Sequence, residues 1–79
     1  MEYNEAAALR DKILNACNDL SGSSIKLAKR KIKNQSTSLY QLHVINLDFE
    51  NRLRLQAIID EHQLVVKDQN AITVIYKPL

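Results

Sequence analysis

Five cations fall within eight residues: Lys26, Lys29, Arg30, Lys31 and Lys33, in the stretch SIKLAKRKIKN from Ser24 to Asn34. No acid occurs anywhere between Ser21 and Leu47. Such a run can neutralise several phosphates and release their condensed counterions, the main source of sequence-independent affinity for nucleic acid. Gln35, Ser36, Thr37 and Ser38 follow it and add neutral donors suited to phosphate and sugar contacts. Two plainer readings stand beside this one. Lysines on an edge strand guard a sheet against edge-to-edge aggregation, and a positive patch also suits an acidic protein partner. The four aromatics, Tyr3, Tyr40, Phe49 and Tyr76, all lie outside the run. Tyr40 and Tyr76 share strand parity with residues expected in the core, so an aromatic platform for single strands is not expected.

Other chemistries find little to work with. A single glycine, Gly22, leaves no Walker loop and no dinucleotide turn, since both need glycines for close backbone approach to phosphate. Zinc takes about four ligands, whereas His43, His62 and Cys17 fall on three different predicted elements. Asp60, Glu61 and His62 are adjacent on a predicted helix and point apart, so neither metal nor cofactor is expected. Cys17 lies beside an apolar helical stripe and reads as an inert core thiol. His43 is the better surface candidate, but no orienting acid is placed near it, so a catalytic role is not expected.

The totals bound the rest. Seventy-nine residues, 46% hydrophobic and 25% charged, are expected to form one globular domain over residues 1–79. A chain of this size buries only somewhat over roughly 60% of its unfolded surface, so stability is expected to be modest. A deep catalytic cavity is not expected, because its wall residues would also be the core. The lone Cys17 favours a reducing, cytoplasmic compartment. The opening MEYNEAAALRDKIL has acids where a signal peptide needs Lys or Arg, and no apolar run approaches a membrane span. Net charge is +2, but residues 21–47 alone carry five bases and no acid. A polyanion would therefore meet one patch more than the whole body.

The elements that must position these residues follow from periodicity. Ala6, Leu9, Ile13, Ala16 and Leu20 form a helical stripe, with Asn4 as cap and Gly22 as stop. Leu39–Ile45 alternates, with Tyr40, Leu42 and Val44 on one face and Gln41 and His43 on the other. Asp48–His62 reads as a helix capped by Asp48 or Asn46, with a Glu50–Arg54 pair and His62 at its negative end. LVVKD and AITVIYK are β-rich runs joined through Asp68-Gln69-Asn70. Residues 24–33 fit a strand or a helix; the strand is preferred, with a bulge near Lys29–Lys31 to correct the parity of Ile32. The order α-β-β-α-β-β predicts an α+β two-layer sandwich: a four-stranded, mainly antiparallel sheet with two helices on one face. It is also the order obtained by moving the first strand of a ferredoxin-like fold to its end. This is an analogy of topology that carries no function.

The second helix raises two further expectations. Followed by a hairpin, it resembles a recognition helix with a wing, and Asn51, Arg52, Arg54 and Gln56 would then read bases. Its apolar residues, however, run around much of its circumference: Phe49, Leu53, Leu55, Ala57, Ile58 and Ile59. Leu55 and Ile58 lie far around the helix from Phe49 and Leu53, and an exposed strip there would mark a partner contact or a homodimer. The reading reached is a small non-enzymatic binding protein. It is first a nucleic-acid-binding regulator using Lys26, Lys29, Arg30, Lys31 and Lys33 on DNA or RNA. The alternative is a protein-interaction module, an inhibitor or adaptor, with Leu55 and Ile58 at its contact.

Overall fold

The structure is a computed structural model that describes residues 1–30 and 39–78. Helix α1 (Tyr3–Ala16) opens with Glu2 at its cap position, where no side chain bonds a backbone N–H, so Asn4 lies inside the helix and is not its cap. It ends at Ala16, well before Gly22, and Leu20 lies beyond it. The left-handed residue after it is Asp19 (φ 63°), a role short polar side chains tolerate. Gly22 instead begins a single 3-10 turn, Gly22–Ser24, at φ below zero. Ser21 and Ser24 close that turn with a reciprocal capping box.

Strand β1 (Ile25–Arg30) settles the described part of the ambiguous stretch, up to Arg30, as a strand from Ile25 on. It pairs with β2 (Leu39–Ile45) antiparallel and in unbroken register from Ile25 opposite Val44 to Arg30 opposite Leu39. No bulge interrupts the ladder up to Arg30; Lys31, Ile32, Lys33 and the Asn34–Ser38 tip lie outside the described residues.

Helix α2 (Phe49–Glu61) starts where Asp48 Oδ1 accepts from the Asn51 N–H at 2.8 Å. Its far end closes without glycine. Gln63 adopts φ 53°, the Gln63 N–H donates to Asp60 O at 3.3 Å, and the Leu64 N–H donates to Ile59 O at 2.9 Å. Strands β3 (Val65–Gln69) and β4 (Ile72–Tyr76) form a hairpin whose turn is Asn70-Ala71, one residue later than expected, with Asn70 left-handed at φ 58°.

The sheet order is β1-β2-β4-β3, antiparallel throughout. This is the order that the permuted ferredoxin-like topology requires, with β1 and β3 as the two edges. Register fixes the faces. Ile25, Leu42, Val44 and Ile75 bury one side against Ala6, Leu9 and Ile13 of α1 and Leu55, Ile58 and Ile59 of α2. Both helices therefore cover the same face, and the strand residues of opposite parity make up the other.

One expectation fails in this core. Leu55 and Ile58 are 1% and 7% exposed, so they are core residues and not a partner strip. The large apolar residues α2 leaves in solvent are Phe49 and Leu53, at 75% and 60%. The reason is rotational: the helix is apolar nearly all round, and the stripe containing Leu55, Ile58 and Ile59 is the one that turns to the sheet.

Candidate nucleic-acid interface

The uncovered face is built by parity. Starting from Ile25 facing the helices, β1 sends Lys26, Ala28 and Arg30 to the open side, while Lys29 falls on the helix side opposite Tyr40. In register with them, β2 contributes Gln41 and His43, β4 contributes Val74 and Tyr76, and β3 contributes Lys67 and Gln69. Val74 sits between His43 and Lys67 and is only 5% exposed, although no helix covers it.

Charge is sorted between the layers. Eight of the nine acids lie in α1, in α2, at their caps or in the bend after α1. The ninth, Asp68, is on the helix side of β3, where Arg52 of α2 holds both its oxygens at 2.7 and 2.8 Å and the Thr73 hydroxyl donates at 3.2 Å. The Arg52 hydrogen bond is the main reason the Asp68 carboxyl is held below the usual carboxylate range. Arg10, Lys12, Arg52 and Lys77 each lie 2.7 to 3.6 Å from a carboxylate. Among the described residues Lys26, Lys29 and Lys67 form no ion pair. The open face thus carries Lys26, Arg30 and Lys67 and, among the described residues, no carboxylate.

Two contacts order this face. The Arg30 guanidinium carbon lies 4.5 Å from the centroid of the Tyr76 ring, and Arg30 Nη1 donates to Lys77 O at 3.1 Å. Gln41 Nε2 lies 2.8 Å from His43 Nε2, so the amide donates to a bare ring nitrogen. Around Val74 these side chains leave a depression of about 170 Å³, lined by Arg30, Gln41, Lys67, Gln69, Val74 and Tyr76.

Tyr76 corrects an expectation. It lies on the open face, because Thr73 and Ile75 are the β4 residues that meet the helices; only Tyr40 packs against the core. Sequence reasoning also passed over Lys67 and Gln69, which are isolated along the chain. The alternation in VVKDQ could have found them, since it sets Val65, Lys67 and Gln69 against Val66 and Asp68.

The contacts of its own residues count against the recognition-helix alternative. Asn51 is buried and bonded to the backbone of Asn18, Arg52 is held by Asp68, Arg54 donates to Asn51 Oδ1 at 3.1 Å, and Gln56 donates to Asp60 at 2.9 Å. The expected Glu50–Arg54 pair gives way to that Arg54–Asn51 bond. The hairpin β3–β4 is part of the sheet and forms no wing.

The remaining candidates are dispersed. Cys17 is buried, its thiol 3.7 Å from Asn51 O, and burial pushes its pKa up. His62 ends α2 and accepts from Lys12 Nζ at 3.2 Å. His43 has Gln41 beside it and no acid on its face among the described residues. Among the described residues no three His, Cys, Asp or Glu side chains gather as a metal site, and no helix is long and apolar enough to cross a membrane. No known protein family, curated protein or solved structure matches the chain.

Proposed function

We propose that this protein is a small non-enzymatic regulator that binds nucleic acid on the open face of its sheet. The observation that carries this reading is the charge sorting. The uncovered face holds Lys26, Arg30 and Lys67 without a carboxylate among the described residues, while the acids keep to the helical layer. A phosphate chain on that face meets cations that need not leave an ion pair to bind it, and counterion release drives the association. Lys31 and Lys33 continue the basic run in sequence beyond Arg30. The unpaired, buried Cys17 fits a reducing cytoplasmic setting.

The test is binding to labelled duplex DNA, single-stranded DNA and RNA by fluorescence anisotropy across a salt series. Three to five phosphate contacts predict a log–log slope of roughly −2 to −4.5. A Lys26→Glu/Lys67→Glu variant, folded by circular dichroism, should lose most of the affinity. Absence of binding at about 50 mM salt, where such contacts are strongest, would refute the reading.

A second reading rests on Phe49 and Leu53, one helical turn apart and both exposed. Two copies of the chain could cover this pair in a homodimer. Sedimentation as a dimer that a Phe49→Ser/Leu53→Ser variant abolishes, with little salt dependence, would favour that reading over a polyanion.

A further inference from the structure

Resting on the nucleic-acid reading, we infer that the depression over Val74 receives a single unstacked base, and that the ligand is therefore a single strand. The face is arranged in strips. Cations stand on the two edge strands, Lys26 and Arg30 on β1 and Lys67 on β3, and neutral groups fill the two central strands. The edges are about 14 Å apart, three interstrand spacings. A backbone laid along either edge can therefore turn its bases inward over Gln41, His43, Val74 and Tyr76.

The depression suits such a base in size and in chemistry. At about 170 Å³ it is smaller than the roughly 300 Å³ at which pockets for drug-sized ligands begin, so it takes one flat ring. Val74 gives it an apolar floor. The Tyr76 ring and the Arg30 guanidinium stacked on it offer π surfaces, and the bond from Arg30 to Lys77 O helps hold that guanidinium in place. The side-chain amides of Gln41 and Gln69 present both a donor and an acceptor, the combination base edges require. Gln69 makes no side-chain hydrogen bond among the described residues, and the Gln41 carbonyl oxygen is likewise uncommitted among them.

A duplex fits this face poorly. Its major groove admits a protruding helix or a two-stranded ribbon. A broad four-stranded face reaches base edges only where the duplex is bent and its minor groove opened, at a cost in unstacking. The α2 side chains that could have entered a groove are spent on Asn18, Asp68, Asn51 and Asp60. Stacking on side chains needs bases already splayed out, as in a single strand.

The experiment compares a 12-nucleotide RNA, the DNA of the same sequence and its duplex against wild type, Tyr76→Leu, Gln69→Ala and the Lys26→Glu/Lys67→Glu variant. The expected result is single-strand binding at least about 10-fold tighter than duplex binding. Tyr76→Leu should lower single-strand affinity about 5- to 150-fold at unchanged salt slope, the range measured for one base–aromatic stack. Gln69→Ala should lower it about 2- to 12-fold, the range for one hydrogen bond. Amide spectra of the wild type should show the Gln41 and Gln69 side-chain signals moving with single-stranded ligand, a readout that survives even if Tyr76→Leu fails to fold. Equal or tighter duplex binding, or single-strand affinity unmoved by Tyr76→Leu and Gln69→Ala but lost with Lys26→Glu/Lys67→Glu, would overturn the base subsite and leave the polyanion reading standing. No binding to any of the three ligands would overturn both.

Discussion

The side chain of Asn51 and the backbone of Asn18 exchange two hydrogen bonds: the Asn18 N–H donates to Asn51 Oδ1 at 2.9 Å, and Asn51 Nδ2 donates to Asn18 O at 2.7 Å. Through this exchange the first turn of α2 holds the bend that follows α1, 33 residues earlier in the chain. Asn51 is 3% exposed, so its amide replaces water for both backbone groups. Asn51→Ala should therefore cost about 1–3 kcal/mol, the penalty for stranding buried polar groups. Urea unfolding would measure it. An unchanged midpoint would mean that water replaces the amide freely.

Arg52 and Asp68 tie α2 to β3 on the surface, and the pair should be visible in the pH dependence of stability. The Asp68 carboxyl is depressed in the folded state, chiefly by its Arg52 hydrogen bonds. A depressed carboxyl contributes stability above its unfolded value of about 3.9 and loses it as pH falls through the lower folded value. Asp68→Asn should accordingly flatten the acid limb of stability below about pH 4, with a smaller effect at high salt because the pair is exposed. Urea midpoints from pH 2 to 7 for both proteins decide the matter; parallel curves would remove Asp68 from the acid limb.

The helix–hairpin–helix–hairpin order was legible because every element but the first strand announces itself, residues 24–33 fitting a strand or a helix. Asp48 sits where a cap is needed, and Tyr40, Leu42 and Val44 alternate with polar neighbours, leaving one sensible pairing of strands. In two elements what was not legible has one physical cause, apolar residues on both sides of the element. In β4, Ile72 and Val74 are as apolar as Ile75, so alternation could not say which way Tyr76 points. In α2 two apolar stripes compete, and only packing against the sheet decides that Leu55 and Ile58 are inside. The end of α1 was hidden for a different reason: between Ala16 and Gly22 no residue forces a stop, and Asp19 takes the left-handed position without glycine. The basic run drew attention to the β1 edge. Membership of a face depends on register with distant strands, and that is how Lys67 and Gln69 join Lys26 and Arg30.

The division of α2 can be tested by truncation. Leu55→Ala removes a fully buried side chain facing the sheet and should cost about 2–5 kcal/mol. Leu53→Ala, two residues away on the solvent side, should stay within about 0.5 kcal/mol. Thermal or urea unfolding distinguishes them; similar costs would mean that Leu53 is covered in solution, as a dimer would require.

Lys26 and Lys29 separate a binding face from a guarded edge. Both are exposed on β1, three residues apart, and neither forms an ion pair among the described residues. They differ in register: Lys26 pairs with His43 on the open side, whereas Lys29 pairs with Tyr40 on the helix side. Neutralising either should leave stability within about 0.5 kcal/mol, so binding differences can be read directly. If nucleic acid lies on the open face, Lys26→Gln should reduce the salt slope by about one and Lys29→Gln should leave it nearly unchanged. If the strand acts only as a charged rim, the two substitutions should be equivalent, because a backbone following the rim meets both lysines. The comparison is best made near 0.15 M salt, where a Debye length of about 8 Å stops Lys29 from acting across the sheet.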